Sequence, residues 1–319
     1  MKASAIAHPI QGLIKYHGLE DERLRLPFHD SISVCTAPLT THTTIEFSDW
    51  EKNSAVIDDK SVTGRDFERI SEVIDAVFRL SGQELKFKMK SLNNFPSNIG
   101  LGASASGFAA LALASCKALG LELTDKDLSR IARKGAASAA RSVTGAFSRL
   151  RKGVGDEDTY SYQIASEDLQ MGMAVALVPA FKRTEDVHRE VLSSPFFDSR
   201  LAEMPRMLDE MELAIRQREV GRICELAEKD TLMLHGITMT GAREMLLWRP
   251  ETMSVILKVR NMREREIPAF FSIDTGATVY VNTFPDRVEE VKAEIEDLGV
   301  EIIECHVGGA AKEITDHLF

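Results

Sequence analysis

Cysteine is scarce in this chain: 319 residues contain Cys35, Cys116, Cys224 and Cys305, far apart and with no CxxC pair. That excludes a disulfide scaffold and makes a reducing cytoplasm the simpler setting. Cys116 and Cys224 fall in helical patterns and read as small buried hydrophobes. Basic charge is also short, with 39 Lys and Arg against 49 Asp and Glu and a net charge of −10. A nucleic-acid partner is therefore not expected, since it would call for a basic field. An anionic small substrate needs only local Lys and Arg. Long apolar runs are missing too. The longest, residues 107–116, is too short to cross a bilayer, and no signal peptide is evident, so a cytoplasmic protein without a membrane partner is expected. Internal repeats and low-complexity segments are absent. What remains is ordinary for a globular protein, with 44% apolar and 28% charged residues, and enough length for one large domain or two of usual size.

The stretch that organises the chain is residues 93–119. Pro96 blocks helix, Gly100 and Gly102 bracket Leu101, and the small residues Ala103, Ser104, Ala105, Ser106 and Gly107 lead into a nearly uncharged apolar helix. Such a loop lets backbone N–H groups, hydroxyls and the positive helix end converge on an anion. No Lys follows the second glycine, so this is not the GxxxxGK[ST] phosphate loop. A Gly/Ser turn capping a core helix is the plainer reading. Against it, small residues continue into the first turn, where bulk would block a ligand. The helix behind is apolar all round, so it is buried and holds the loop rigid.

Elsewhere the periodicities predict a strand and turn over residues 2–14 and strands over 31–34, 40–48 and 85–92. A hairpin surrounds Asp58-Asp59-Lys60, and a helix over 66–80 has helical apolar spacing. Thr124 is a plausible N-cap with Asp125 and Asp127 behind it. Residues 135–145 are nearly all small around Arg141, which leaves two readings. One is a tightly packed helix pair with Arg141 snorkelling to water. The other is a helix thinned so that a substrate reaches Ser138 and Arg141, the guanidinium gripping a carboxylate. Residues 152–161 read as a solvated acidic turn rather than a cation site, and 180–189 as a charged loop. A continuous buried strand covers 171–179, with a domain boundary just before it, giving domains of residues 1–169 and 170–319. Helices are expected over 204–217, 220–235, 250–266 and 286–298. Apolar strands flank Asp274-Thr275-Gly276, and a closing strand covers 300–305. The second half thus reads as an antiparallel sheet with helices on one face, an α+β arrangement.

Residues 93–111 (NNFPSNIGLGASASGFAAL) resemble the phosphate-binding motif of the GHMP kinase superfamily. More narrowly, GLIKYHG (12–18), the same 93–111 loop and ARKGAASAARSVTGAF (132–147) are similar, in order, to segments of the mevalonate diphosphate decarboxylases, and the Asp274 turn is similar to the one bearing their catalytic aspartate. Leu19 stands where that family has Lys, His17 where it has Trp, and Ala136-Ala137 where it has Ser-Gly. KYHG, ASAARS and TEDVHRE resemble more closely the archaeal and bacterial phosphomevalonate decarboxylase branch.

The resemblance implies a GHMP kinase fold, with a ribosomal-S5-like N-terminal ATP-binding domain and a ferredoxin-like C-terminal domain. It implies ATP-dependent decarboxylation of mevalonate 5-phosphate to isopentenyl phosphate, with ATP and Mg2+ as cofactors and a homodimeric assembly. Asp274, Lys15 and Arg141 would be catalytic. Asn94, Gly100, Gly102, Ala103, Ser104 and Ser106 would hold ATP, with Ser104 on the metal. Tyr16, Ser138, Arg141, Lys182 and His188 would hold substrate, Lys15 either bonding to Asp274 or offsetting phosphoryl charge. The alternatives are the diphosphate as substrate, a mevalonate 3-kinase that does not decarboxylate, a non-enzymatic ligand sensor and a structural scaffold.

Overall fold

The computed structural model describes residues 1–97, 99–180 and 184–319. Two large sheets carry the chain. In the first, the strand order is Lys312–Ile314, Lys2–Ala7, Thr41–Ser48, Lys86–Asn93, Ser54–Ile57, Lys60–Ser61. Its neighbours are antiparallel apart from Ser54–Ile57, which runs parallel to Lys86–Asn93. Ile70, Val73, Ile74 and Val77 of helix Gly64–Ser81 pack into the same core as Leu128 and Ile131 of helix Asp125–Gly135, with Ala109–Leu113 between them and Ile45, Phe47 and Phe87 on the sheet. The helix Ala103–Ala118 lies in the middle of this layer, and twelve of its sixteen residues are buried. Its lack of a polar stripe is what the sequence showed, and the physical consequence is a helix enclosed on all sides. Thr124 caps the following helix as expected, its Oγ1 accepting the Asp127 N–H at 3.2 Å.

The second sheet runs Tyr160–Ala165, Phe147–Arg151, Ser31–Ala37, Glu301–Val307, Gly172–Leu177, Val279–Thr283, Phe270–Ser272, with Ile10–Ile14 also pairing on Ser31–Ala37. It crosses between the halves of the chain, because Ala37 pairs with His306 and Thr36 with Val307. The chain end crosses as well: Lys312–Ile314 pairs with Ser4–Ile6 in the first sheet.

Four features depart from the sequence expectation. Helices cover both faces of the C-terminal part of the second sheet rather than one. Met173 and Val175 face the helices Phe197–Arg216 and Val220–Met239, whereas Ala174 and Ala176 face Pro250–Glu264 and Val288–Glu296. A strand buried at every position, as Gly172–Leu177 is, has two apolar faces, and one helix layer covers only one of them. The segment read as a charged loop contains the helix Thr184–Glu190. The helix expected from Met204 begins at Phe197 and continues through Pro205. The acidic turn finds cationic partners rather than solvent alone: Asp156 pairs with Arg133 and Lys134, and Glu157 with Arg130 at 2.7 Å. No helix among the described residues is long and apolar enough to cross a membrane.

Candidate active site

The strand Ile10–Ile14 delivers Lys15, Tyr16 and His17 to the end of the second sheet, where it meets the helix Val220–Met239 and the strand Phe270–Ser272. Every residue of that strand is buried, so the polar residues that follow are held by a fixed backbone. Across from it, the turn after strand Phe270–Ser272 presents Asp274, half-buried, with both carboxylate oxygens accepting the Gly12 N–H at 3.0 and 3.2 Å. The approach is close because Gly12 has no side chain. A Cβ there would sit 2.9 Å from Asp274 Oδ1 and 2.6 Å from Lys15 Cγ.

Lys15 is 5% exposed, and its Nζ donates to Thr231 Oγ1 at 3.0 Å and Ser272 Oγ at 2.9 Å. Of the two expected interactions, a hydrogen bond from Lys15 to Asp274 is not formed among the described residues, two of its three N–H groups going instead to these hydroxyls. Asp230 Oδ2 lies 3.5 Å from Nζ and accepts the Lys15 backbone N–H at 3.0 Å. Burial lowers the Lys15 pKa, while the carboxylates of Asp230 and then Asp274 pull it back and Arg200 lowers it further. Lys15 therefore senses Asp274 through charge.

Arg141 does not snorkel. It is 3% exposed, with Nε donating to Ser33 Oγ at 2.9 Å and Nη1 to Ser31 Oγ. Its guanidinium lies 5.6 Å from the Tyr16 ring centroid. Burial lowers its pKa, offset by Tyr16 and Asp274. Two nitrogens fixed by serines set the plane of the guanidinium, and among the described residues Nη2 donates to no other side chain, which leaves one edge for a planar anion. Ser138 precedes the short helix Ala139–Thr144 that carries Arg141. Burial raises the Tyr16 pKa, opposed by Arg141, so the phenol stays protonated at neutral pH.

Tyr16 stacks on His188, with centroids 5.3 Å apart and planes 3° apart, and the Gly18 N–H donates to His188 Nδ1 at 3.1 Å. His188 lines a cavity of about 180 Å³ together with Leu19, Glu22, Arg25, Arg65, Glu185 and Arg189. All three of its arginines are already engaged: Arg189 with Glu22 at 3.0 Å, Arg25 with Glu185 at 3.6 Å, and Arg65 with Glu68 at 3.2 Å and Glu72 at 3.1 Å. Lys182, the second candidate for this region, lies outside the described residues.

The glycine-rich loop closes the other side. Gly100 has φ +91° and its α-hydrogen faces the Asp274 turn, a Cβ there lying 3.7 Å from the Thr275 carbonyl oxygen. Gly102, at φ +75°, is the N-cap of helix Ala103–Ala118, which has no side-chain cap and no acid in its first turn. Ser104 is exposed at that helix start. An uncapped helix N-terminus without a competing carboxylate offers its amides to phosphate. Two members of the expected nucleotide set have other partners for their side chains. Ser106 is fully buried and its hydroxyl shares a hydrogen bond with Thr41 at 2.6 Å. Asn94, though exposed, spans the neighbouring turn, accepting from Thr40 N at 2.7 Å and donating to Pro38 O at 2.9 Å. Among the described residues no group of three His, Cys, Asp or Glu side chains is arranged to hold a metal. A magnesium ion here would rest on nucleotide phosphates and a hydroxyl such as that of Ser104.

Asp230, Thr231, Ser272, Arg200, Ser31 and Ser33 complete the site and were not singled out in the sequence. Asp230 and Thr231 carry the one usable signal, a charged and a hydroxyl residue on the apolar face of an otherwise amphipathic helix. The others are single residues on buried elements, where only three-dimensional placement reveals a role.

Residues 7–161 match the family described as the diphosphomevalonate decarboxylase-like N-terminal domain. The chain is 46% identical to the phosphomevalonate decarboxylase of Haloferax volcanii over 99% of its own length and 98% of that protein's. Its fold superposes on mevalonate diphosphate decarboxylase from Staphylococcus aureus with a TM-score of 0.92 at 29% identity, covering 98% of both chains. It superposes equally well, at 27% identity, on MDDEF in complex with MVAPP, AMPPCP and magnesium, covering 98% of this chain and 99% of that one. With the GHMP-type architecture, the carboxylate–lysine–arginine cleft and near-complete coverage of these relatives, the chain belongs to the mevalonate phosphate and diphosphate decarboxylase family.

Proposed function

We propose that this protein catalyses the ATP-dependent decarboxylation of mevalonate 5-phosphate, yielding isopentenyl phosphate, ADP, phosphate and CO2. The observation that carries this reading is the Asp274 carboxylate, fixed by the Gly12 N–H and facing a glycine loop at an uncapped helix N-terminus. The division into a nucleotide-binding lobe of residues 1–169 and a lobe of residues 170–319 bearing Asp274 belongs to the same reading.

Phosphoryl transfer asks mainly for positioning and charge neutralisation. The amides following Gly102 and the Ser104 hydroxyl receive the ATP phosphates, and Mg2+ bound with the nucleotide supplies further neutralisation of phosphate charge. Asp274 orients the tertiary 3-hydroxyl of the substrate and takes its proton as the oxygen attacks the γ-phosphorus. Lys15, adjacent but bonded to Thr231 and Ser272, sets the local potential. The new 3-phosphate then departs with its bonding electrons and takes the proton back from Asp274, which restores the carboxylate as positive character grows at C3. The Asp274 carboxylate faces that carbon and lowers the energy of the cationic centre. Arg141, planar and fixed by Ser31 and Ser33, holds the substrate carboxylate with Ser138 until the C–C bond breaks and CO2 leaves. Its electrons become the new double bond.

The 5-phosphate would lie toward Tyr16 and His188, in the cavity that also holds Arg25 and Arg65. Glu22 and Glu185 line the same space and occupy two of the arginines. Leu19 lines it where a Lys would add charge. These features favour one phosphate over two. Steady-state kinetics on mevalonate 5-phosphate and its 5-diphosphate, run side by side, test the choice. Measuring CO2 beside ADP separates decarboxylation from simple 3-phosphorylation, since ADP without CO2 would establish a kinase.

A further inference from the structure

Beneath Lys15 lies a second set of charges that the proposed chemistry does not use. Asp230 is fully buried, and it touches Lys15 twice, at the backbone N–H (3.0 Å) and at Nζ (3.5 Å). Arg200, 3% exposed, donates to Asp230 Oδ1 at 2.6 Å and to the Lys15 carbonyl at 2.8 Å. Lys15 is thus held at its N–H, its C=O and its ammonium by one buried pair. The two partners come from different helices, Phe197–Arg216 and Val220–Met239. A buried carboxylate with a single cation is costly, and here two cations share it. With Asp274 at the cleft, two positive and two negative side chains balance.

We propose that Asp230, fixed by Arg200, is a positioning residue that locks Lys15 against the Asp274 turn and maintains its positive charge through the catalytic cycle. The inference rests on the role given above to Lys15. Proton removal from the substrate hydroxyl neutralises Asp274, which takes away one of the two carboxylates that stabilise the ammonium. Asp230 is the one that remains. The other groups facing this cluster do not replace it. His29 packs near Arg200 with its pKa pushed down to about 4, chiefly by burial and by Arg200, so it adds no charge near neutrality. Tyr280 has a pKa well above the usual phenol value through burial and Asp274, so it stays neutral. His235 donates from Nε2 to the Asp274 carbonyl at 3.1 Å, and His17 lies beyond at Thr275.

The test compares Asp230→Asn, Arg200→Gln and Lys15→Met in the full-length enzyme, by kcat and KM across pH 6 to 10 and by thermal melting. Asp230→Asn should lower kcat at neutral pH by about 10- to 100-fold with KM for both substrates within about threefold. It should also move the basic limb of the kcat profile down by about one pH unit, the scale of a lost neighbouring charge. Arg200→Gln removes a like charge and should move that limb upward. A structural disturbance would instead lower kcat in both variants without opposite shifts. Should Asp230→Asn fail to fold, the upward shift in Arg200→Gln decides alone, and its absence overturns the proposal. If Lys15→Met keeps wild-type turnover, the reading of the site itself fails. If Lys15→Met is inactive while the limbs in the other two stay put, only the Asp230 inference falls.

Discussion

Asp274→Asn is the substitution that separates chemistry from architecture. Asparagine is isosteric, and its Oδ1 can accept the Gly12 N–H that now divides between two oxygens at 3.0 and 3.2 Å. Lys15 loses one neighbouring negative charge but keeps Asp230 at 3.5 Å and its two hydroxyl partners. Among the described residues no buried cation is stranded, so the penalty of about 3–5 kcal/mol for breaking a buried pair does not apply, and Tm should stay within about 3 °C of wild type. Turnover behaves differently. Losing a positioned general base costs about 10²- to 10⁴-fold. Losing a fixed charge aimed at a developing one costs about 10²- to 10³-fold. One carboxylate performs both tasks, so the two factors overlap rather than multiply in full. A fall in kcat of about 10³- to 10⁵-fold follows, or about 4–7 kcal/mol of barrier. ADP release and CO2 release should fall in parallel, and ATP affinity should change by no more than about threefold. A folded Asp274→Asn protein turning over at more than about a tenth of the wild-type rate would refute the mechanism.

Arg141→Lys retains the charge but cannot satisfy Ser33 and Ser31 at once in the guanidinium plane, so kcat/KM for the phosphorylated substrate should fall by about 10²-fold or more, measured by initial rates; an unchanged value would remove the carboxylate clamp. Ser104→Ala should raise KM for ATP several-fold with little change in Tm, since the side chain is exposed and caps nothing. The four thiols are all buried, and burial pushes Cys35, Cys116 and Cys305 up to about 12. Native protein at pH 8 should therefore resist alkylation, read by mass spectrometry, and react at all four sites when unfolded. His29, held at about 4 when folded against 6.5 when free, binds fewer protons in the native state. Its contribution to stability is therefore full above pH 6.5 and lost as pH falls toward 4. His29→Asn should flatten the decline in Tm over that interval.

What the sequence made legible, and what it hid, divide along a physical line. The glycine loop and the Asp274 turn are local: each is a contiguous run whose backbone demands show in its residue types, with left-handed Gly100 and Gly102 among them. The helix Ala103–Ala118 was legible for the same reason, because an apolar surface without a polar stripe has one solution, enclosure. Arg141 was ambiguous because snorkelling and clamping use the same side chain on the same helix. The decision came from Ser31 and Ser33, over a hundred residues away on a strand of the second sheet. Helices on both faces of the second sheet were implicit in the buried run of Gly172–Leu177, yet which helix takes which face depends on the alternation of Met173 and Val175 against Ala174 and Ala176 and on the helices' own stripes. The short helix Thr184–Glu190 was hidden by its composition, since a seven-residue charged segment has too few apolar positions to show a period, and its position is set by His188 against Tyr16 and Arg189 against Glu22. Asp230 was least visible. A single acid on a mostly apolar helix face looks like a flaw in the pattern until a second helix brings Arg200 and a strand end brings Lys15 to the same point. Backbone demands are written in neighbouring residues, whereas charge balance is written across the fold, and in this protein the glycine loop belongs to the first kind and the charged surroundings of Lys15 to the second.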